Sequence, residues 1–215
     1  MSILDNFITI KNNISFLSNN TKIIVVTKTF DINTITPIIA CGHNDFGENK
    51  VQEAILKWQP IIANYPDLKL HLIGHLQSNK AKDAVKLFDY IHSLSSEKLA
   101  NILMKEEQLI KKKLRYFIQV NFTNSKERSG IEVNEAASFI KYCINDLNLQ
   151  IIGLMCIPPL NVQPDAYFLQ LKEIAYKNNL NELSMGMSND YHHAIKHGST
   201  YVRIGSKIFG ERKNQ

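Results

Sequence analysis

The stretch Lys22-Ile-Ile-Val-Val-Thr-Lys-Thr29 decides the fold of this chain. Its run of β-branched apolar residues predicts a strand that is buried on both faces, as strands are in parallel sheets. The run stops abruptly at Lys28. A lysine at a strand end is commonly a surface residue, with its stem packed and its amine in water. The alternative is that Lys28 lies at the mouth of a parallel barrel, where reactive groups gather at the strand ends.

The same alternation of apolar strand, polar turn and amphipathic helix repeats along the chain. A first helix is predicted over 4–18, where apolar residues recur at helical spacing. Strands are predicted at 22–27, 44–49, 69–73, 89–92, 115–120, 150–155, 182–185 and 200–204. Eight strands that alternate with helices in 215 residues predict an α/β protein, with a single (β/α)8 TIM barrel over 1–215 and an extra N-terminal helix.

Composition argues against several classes of protein. The charged fraction is 21%, and no stretch approaches the roughly 20 apolar residues of a membrane-spanning helix. The first residues show no basic leader before an apolar core, so we expect no signal peptide and a cytoplasmic location. Cys41, Cys143 and Cys156 lack C-x-x-C spacing and lie in apolar neighbourhoods, which favours reduced, packed thiols. Neither a G-x-G-x-x-G nor a G-x-x-x-x-G-K motif is present, so dinucleotide and NTP sites have no support.

The net charge of +5 raises the question of nucleic acid. The densest basic run is Lys111-Lys112-Lys113, which follows a helical pattern and is better explained as cations at a helix C-terminus. The sequence shows no recognition helix, aromatic stacking platform or zinc-finger spacing. We therefore expect no nucleic-acid partner and no membrane partner. We also expect a monomer.

Polar residues follow almost every predicted strand, which is more than a solvated rim requires. They are Lys28, Glu48 with Asn49, His75 with Gln77 and Asn79, 184–188 and 203–206. Barrels commonly bind phosphate with the loops after strands seven and eight, which here read Ser184-Met-Gly-Met-Ser188 and Arg203-Ile-Gly-Ser206. Gly186 and Gly205 let backbone amides approach an anion, and the serines at 188 and 206 add hydroxyl donors.

A phosphate anchor together with a lysine on the first strand describes a holder for pyridoxal 5′-phosphate (PLP). The loops would fix the phosphate, and Lys28 would bind the aldehyde as a Schiff base. A lysine with the ordinary pKa of about 10.4 is almost wholly protonated at neutral pH, so such a site must desolvate the amine or place a cation nearby. Arg203 is the candidate for that cation.

At these residues the sequence resembles the pyridoxal phosphate homeostasis protein family, a group of alanine racemase-like proteins. The matching stretches run in order from the first strand onward, with the right spacing. They are Val25-Val-Thr-Lys-Thr29, Phe46-Gly-Glu-Asn-Lys-Val-Gln-Glu53, His71-Leu-Ile-Gly-His-Leu-Gln-Ser-Asn-Lys80, Gly153-Leu-Met-Cys-Ile-Pro-Pro159, Leu183-Ser-Met-Gly-Met-Ser188 and Gly198-Ser-Thr-Tyr-Val-Arg-Ile-Gly-Ser-Lys-Ile-Phe-Gly-Glu-Arg212.

The resemblance implies a barrel of the alanine racemase N-terminal type, which is fold type III among PLP proteins. It also implies a set of cofactor-binding residues: Lys28 as the Schiff-base lysine, Arg203 near the pyridine nitrogen, Ser188, Gly205 and Ser206 on the phosphate, and Asn49 in the pocket wall. Family members look like carriers or buffers of the cofactor, so the implied partners are PLP and PLP-dependent apoenzymes, and no residue is assigned as catalytic.

Two positions depart from the family pattern. Phe30 stands where a second basic residue is frequent, and Arg128 stands where a lysine is usual before Ser-Gly. If that lysine helps to capture or pass on the cofactor through its amine, then Arg128 puts the transfer step in doubt, because arginine cannot form an imine.

A weak amino acid racemase is the alternative function, with Lys28 as base and His75 or another mouth residue opposite. Two features favour a binding protein instead. A cationic arginine beside the pyridine nitrogen disfavours its protonation and makes the ring a weaker electron sink. Racemases of this fold also draw one of their proton-transfer groups from a second domain, for which we expect no room in this sequence.

Three further patterns have alternative readings. His71 and His75 are four residues apart, as are His193 and His197, but neither pair has a third ligand in view, so we expect no metal site. Met185 and Met187 are interpreted as pocket wall rather than soft-metal ligands. Glu48 is expected to orient Asn49 or Lys28 rather than to act as an independent acid.

Overall fold

The architecture is a closed barrel of parallel strands surrounded by helices. The computed structural model describes residues 2–123, 129–159 and 162–210. Eight strands close the barrel in the order β4-β3-β2-β1-β9-β8-β7-β5, and β5 pairs with β4 to complete the ring. Each of these pairings is parallel, as the continuous apolar runs predicted. The predicted (β/α)8 barrel is therefore confirmed.

The strands lie within a few residues of their predicted positions. They are β1 (Lys22–Val26), β2 (Asp45–Glu48), β3 (Lys69–Leu72), β4 (Tyr90–Leu94), β5 (Arg115–Asn121), β6 (Ile131–Glu132), β7 (Gln150–Met155), β8 (Glu182–Met187) and β9 (Tyr201–Ile204). The two-residue β6 was not predicted, and it pairs with β5 outside the ring. Two residues form too short an apolar run to give a strand signal.

Helices cover the outside of the barrel and precede it at the N-terminus. They are α1 (Ile3–Leu17), α2 (Ile32–Ala40), α3 (Val51–Trp58), α4 (Ala81–Leu87), α5 (Glu97–Ile110), α6 (Ala136–Lys141), α7 (Asp165–Lys177), α8 (Tyr191–Lys196) and α9 (Ser206–Phe209). Ser96 caps α5 through its side chain, and Gly42 follows α2 with a φ of 83°. No helix in the described ranges is long and apolar enough to cross a membrane.

The apolar faces of these helices pack on the outer face of the barrel and form one large core. Phe7, Ile10 and Ile14 of α1 are buried in it, as their helical spacing predicted. The three adjacent lysines after α5 also follow the prediction in part. Lys112 donates to the carbonyl oxygens of Lys86 and Phe88 at 3.1 and 2.7 Å, so this cation caps the end of the neighbouring α4.

Gly153 on β7 marks the tightest approach between neighbouring strands. A Cβ at this position would lie 1.9 Å from the carbonyl oxygen of Glu182 on β8. We expect Gly153→Ala to lower the free energy of unfolding by about 1–3 kcal/mol, because the backbone of β8 must shift. Urea unfolding measures this effect. Gly42→Ala is the control, since nothing lies within 4 Å of its added Cβ and only the positive φ is penalised. Equal losses in the two variants would contradict the steric explanation.

Candidate cofactor site at the barrel mouth

A cavity of about 610 Å³ opens at the carboxyl ends of the barrel strands. Its wall is formed by residues at or just beyond the ends of β1, β2, β3, β7, β8 and β9. This volume is within the range of small-molecule sites, and convergence at the strand ends is the usual position for function in such barrels. The polar and glycine residues that line it include Lys28, Asn49, Ser188, Arg203, Gly205, Ser206, Asp190 and His193.

The backbone on both sides of Lys28 is fixed by α3. Nζ of Lys57 donates to the carbonyl oxygen of Thr27 at 2.6 Å, and the amide of Thr29 donates to the carboxylate of Glu53. Thr29 has a φ of 71°, which a β-branched residue rarely adopts. Such a conformation persists where surrounding contacts impose it. The turn that carries Lys28 is therefore held from outside the barrel, which limits the positions of its side chain.

Glu48 fixes the strand end from which Lys28 extends. Its Oε1 accepts hydrogen bonds from Thr27 Oγ1 at 2.7 Å, Lys57 Nζ at 2.8 Å and Trp58 Nε1 at 2.9 Å. The carboxylate thus holds Thr27, the residue before Lys28, and none of these three hydrogen bonds comes from Asn49. Glu48 is fully buried and forms an ion pair that joins β1 and β2 to α3, so it supports the strand end below the cavity.

Arg203 brings a buried cation to the cavity. It lies on β9, and its side chain is 4% exposed. Nη1 donates to the backbone and side-chain oxygens of Ser184, both at 2.7 Å, and Nη2 donates to the carbonyl oxygen of Cys156 at 2.9 Å. Burial lowers the pKa of Arg203 from its usual value, but an arginine remains charged at neutral pH. The guanidinium is thus held rigidly by strands β8 and β7.

The loops after β8 and β9 meet at Ser188. Its Oγ lies 3.4 Å from the backbone nitrogens of Gly205 and Lys207, at the outer limit of a hydrogen bond. A Cβ on Gly205 would lie 3.3 Å from Cβ of Val26, a tight contact, so the close approach of this loop to β1 favours a glycine. Hydroxyl and amide groups therefore gather on the side of the cavity where the sequence predicted an anion site.

The structure brings together all six residues that the sequence proposed for the cofactor, namely Lys28, Asn49, Ser188, Arg203, Gly205 and Ser206. The described residues that line this cavity do not include His75, Gln77 or Asn79. Nδ1 of His75 lies 3.0 Å from Oγ of Ser129 instead. His75, which the racemase alternative placed opposite Lys28, is therefore not part of the described cavity wall. The departure at Arg128 lies outside the described residues.

The two methionines and Phe30 separate into different environments. Met187 lines the cavity, whereas Met185 belongs to the buried core, so the expectation that both form pocket wall is wrong for Met185. They differ by two residues, but Gly186 between them has a φ of 92°, which breaks the regular alternation of the strand.

Phe30 lines the cavity and stacks on Phe209 at 4.4 Å, so this departure from the family pattern gives an apolar wall.

The two histidine pairs lie in different surroundings. His71 is buried in the barrel, whereas His75 is in the following loop. His193 lies on α8 and His197 directly follows it, and both contact Asp165, at 2.8 Å each. Within residues 2–123, 129–159 and 162–210, no group of three or more His, Cys, Asp or Glu side chains has a geometry that could hold a metal ion.

Sequence reasoning missed two residues that line the cavity and one contact inside the barrel. Asp190 lines the cavity and accepts a hydrogen bond from the amide of Met187 at 2.6 Å, and His193 lines it from α8. Inside the barrel, His92 and His71 make a direct contact with Nε2 and Nδ1 3.0 Å apart. A signal for this contact existed, because a histidine inside an otherwise apolar buried strand requires a polar partner.

These buried histidines give the protein a defined dependence on pH. Burial lowers the pKa of His92, His71 and His43 below the usual value. Below about pH 6.5 the unfolded chain binds protons that the folded chain does not bind, so stability falls as the pH falls. We expect a loss of at most about 1.4 kcal/mol per pH unit for each neutral histidine.

Thermal or urea unfolding between pH 7 and pH 5 measures this slope. His92→Asn is expected to make the slope shallower than in the wild type, whereas replacing the exposed His192 on α8 with asparagine is a matched control expected to change it less. Identical slopes in the wild type and His92→Asn would contradict the assignment of a neutral His92.

The fold and the lysine-bearing mouth define a barrel of the alanine racemase type. The family model described as alanine racemase, N-terminal domain, matches residues 3–213. A solved alanine racemase from Acinetobacter baumannii has a TM-score of 0.75 with 17% sequence identity, and the alignment covers 99% of this chain and 62% of that chain. At this identity the likeness concerns the fold alone.

Relatives with higher sequence identity identify the family within this fold class. A pyridoxal phosphate homeostasis protein of Haemophilus influenzae is 37% identical over 204 residues, covering 90% of this chain and 86% of the relative. One from Synechocystis is 36% identical, covering 93% and 95%. PipY of Synechococcus elongatus PCC7942 is 33% identical, covers 97% of this chain and 100% of that chain, and has TM-scores of 0.90 without PLP and 0.88 with PLP bound. The chain belongs to the pyridoxal phosphate homeostasis protein family.

Proposed function

We propose that this protein binds PLP and buffers or delivers the cofactor inside the cell. The observation that carries the proposal is the convergence of Lys28, Arg203 and the Ser188–Gly205 loops on one cavity. The relatives named for PLP homeostasis, and the structure of PipY with PLP bound, support the same cofactor. The proposed location is the cytoplasm, and the proposed unit is one barrel that acts as a monomer.

The residues present fit the cofactor. The cavity of about 610 Å³ has room for a small aromatic phosphate, and its polar groups lie at different parts of the wall. Ser188, Gly205 and Ser206 would hold the phosphate, Arg203 would face the ring nitrogen, and Asn49 would complete the wall. When bound, the cofactor supplies an aldehyde, to which the uncharged amine of Lys28 adds with loss of water.

Arg203 argues for holding the cofactor rather than for turnover. A guanidinium donates hydrogen bonds and accepts none, so it leaves a facing ring nitrogen unprotonated. An unprotonated ring withdraws electrons less strongly than one that faces a carboxylic acid. The protein would therefore shield a reactive aldehyde and pass it to PLP-dependent apoenzymes, without a reaction of its own on amino acids.

Two measurements on the loaded protein test this function. After gel filtration the protein is expected to retain PLP at close to one equivalent, and to restore activity when mixed with an apoenzyme that requires PLP. Incubation with single-enantiomer amino acids is expected to leave their optical activity unchanged. Failure to retain added PLP would refute the proposal. Catalytic loss of optical activity would instead favour the racemase alternative, with Lys28 as base.

A further inference from the structure

A chain of polar side chains crosses the interior of the barrel and ends at Arg203. Nε2 of His71 lies 3.0 Å from Oδ1 of Asp45, and Nδ1 of His71 lies 3.0 Å from Nε2 of His92. Nδ1 of His92 lies 2.8 Å from Oγ of Ser184, to which Nη1 of Arg203 donates at 2.7 Å. The chain joins β2, β3, β4, β8 and β9, and both histidine rings are completely buried.

The chemistry of the two ends fixes the direction of every hydrogen bond between them. The carboxylate of Asp45 only accepts when ionised, so a neutral His71 carries its proton on Nε2, donates it to Asp45 and accepts at Nδ1. His92 then carries its proton on Nε2, donates to Nδ1 of His71 and accepts at Nδ1. Ser184 therefore donates its proton to Nδ1 of His92 and accepts from Arg203, which can only donate. With both rings neutral, every donor in the chain meets one acceptor.

The surroundings agree with neutral rings and an ionised Asp45. Burial lowers the pKa of His92, and the charge of Arg203 acts in the same direction. Burial also lowers the pKa of His71, and Lys22 adds to this, whereas Asp45 and Asp89 oppose it. Burial alone would raise the pKa of Asp45, but its hydrogen bond from His71, together with the nearby charge of Lys22, opposes burial, and the pKa is lowered. The aromatic rings of Tyr90, Phe117 and Tyr201 also pack against the two histidine rings.

We propose that Ser184, His92, His71 and Asp45 are positioning residues for Arg203, and that together they hold the guanidinium as a fixed donor toward the cofactor cavity. The aligned hydrogen bonds polarise one another, so the carboxylate of Asp45 acts as a distant counter-charge for Arg203. A carboxylate placed directly against the guanidinium would instead compete with a ligand for its N–H groups. The part of this inference that concerns PLP rests on the proposed function.

Nitrogen-detected NMR of the histidine side chains tests the chain without any cofactor. In the ligand-free protein we expect His71 and His92 to be neutral between pH 6 and pH 8, each with its proton on Nε2. A proton on Nδ1 of His92, or a charged ring at His71 or His92 in this range, would overturn the proposal. Because this arm needs no ligand, it decides the direction of the chain even if the protein fails to bind PLP.

The second arm compares two buried serines. Ser184→Ala breaks the chain, whereas Ser199→Ala removes a buried hydroxyl that donates to backbone carbonyls and has no described contact with Arg203. For Ser184→Ala we expect PLP affinity to fall roughly 5- to 50-fold, because Nη1 of Arg203 keeps the backbone oxygen of residue 184 but loses the hydroxyl that links it to His92. The absorption maximum of bound PLP is also expected to shift. Ser199→Ala is expected to leave both unchanged, and equal effects in the two variants would overturn the proposal.

A third comparison separates positioning from packing. Both His92→Asn and His92→Leu lose the stacking of the ring on Phe117, at 4.2 Å in the wild type. Only asparagine can place an amide oxygen near the position of Nδ1 and accept from Ser184. We therefore expect His92→Asn to have an absorption maximum closer to that of the wild type than His92→Leu. The same spectrum for both variants would show that the ring contributes packing alone and would overturn its positioning role.

Discussion

Lys28→Ala is expected to abolish the stable retention of PLP. In the proposed site the amine of Lys28 makes the only carbon–nitrogen bond to the cofactor, and alanine removes it. We expect the affinity to fall at least roughly 100-fold, which corresponds to about 3 kcal/mol. Equilibrium dialysis of PLP and the visible absorption spectrum measure this. The residual contacts of Ser188, Gly205 and Arg203 would still bind phosphate and ring weakly.

Two control variants test whether PLP binding needs the amine of Lys28 itself. One keeps the positive charge at this position, and the other removes a lysine elsewhere. Lys28→Arg keeps a cation at the cavity but cannot form an imine, so its spectrum is expected to match that of Lys28→Ala. Lys98→Ala removes an exposed lysine of α5 and is expected to bind like the wild type. An unchanged affinity in Lys28→Ala would mean that Lys28 is an ordinary strand-end lysine.

Glu48→Ala is expected to be the most destabilising of the substitutions considered for stability. It leaves Nζ of Lys57, which is 2.8 Å from Oε1 of Glu48, as a buried charge without its main partner. Removing one member of a buried ion pair costs about 3–5 kcal/mol, and Glu53, 3.4 Å from the same Nζ, keeps the cost near the lower limit. Because Lys57 also holds the carbonyl of Thr27, PLP affinity is expected to fall as well.

Urea unfolding of Glu48→Ala and of a variant that lacks both charges measures this pair. The double variant Glu48→Leu/Lys57→Met removes both charges and is expected to recover most of the stability that Glu48→Ala loses. Glu173→Ala on the exposed face of α7 is the matched control and is expected to change stability by less than about 0.5 kcal/mol. If Glu48→Ala were no more destabilising than this control, the ion pair would not support the turn that carries Lys28.

Local sequence pattern was sufficient to predict most of the fold. β-Branched runs such as Lys22–Val26 define strands, and apolar residues at helical spacing define the helices between them. The ends of the strands then indicated the site, because a parallel barrel brings the residues after every strand to one side. Lys28 and Arg203 are 175 residues apart in the sequence, and this topology alone predicted that they share a cavity.

Contacts between side chains of different strands could not be predicted in the same way. The partners of Glu48 depend on where Lys57 and Trp58 lie on α3, and several polar groups near the strand end were equally plausible. The contact of His71 with His92 depends on the register of β3 against β4 and on the closure of the barrel. Neither register nor closure is encoded in the hydrophobic pattern of a single strand.

Borohydride reduction of the PLP-loaded protein, followed by peptide mass analysis, tests the central claim most directly. Reduction fixes an imine as a stable secondary amine, so the lysine that carries the cofactor gains the mass of PLP minus one water plus two hydrogens. We predict a yellow protein that loses its colour on reduction, with the added mass on the peptide that contains Lys28. An adduct confined to another lysine, or bound PLP with no adduct, would contradict the assignment of Lys28.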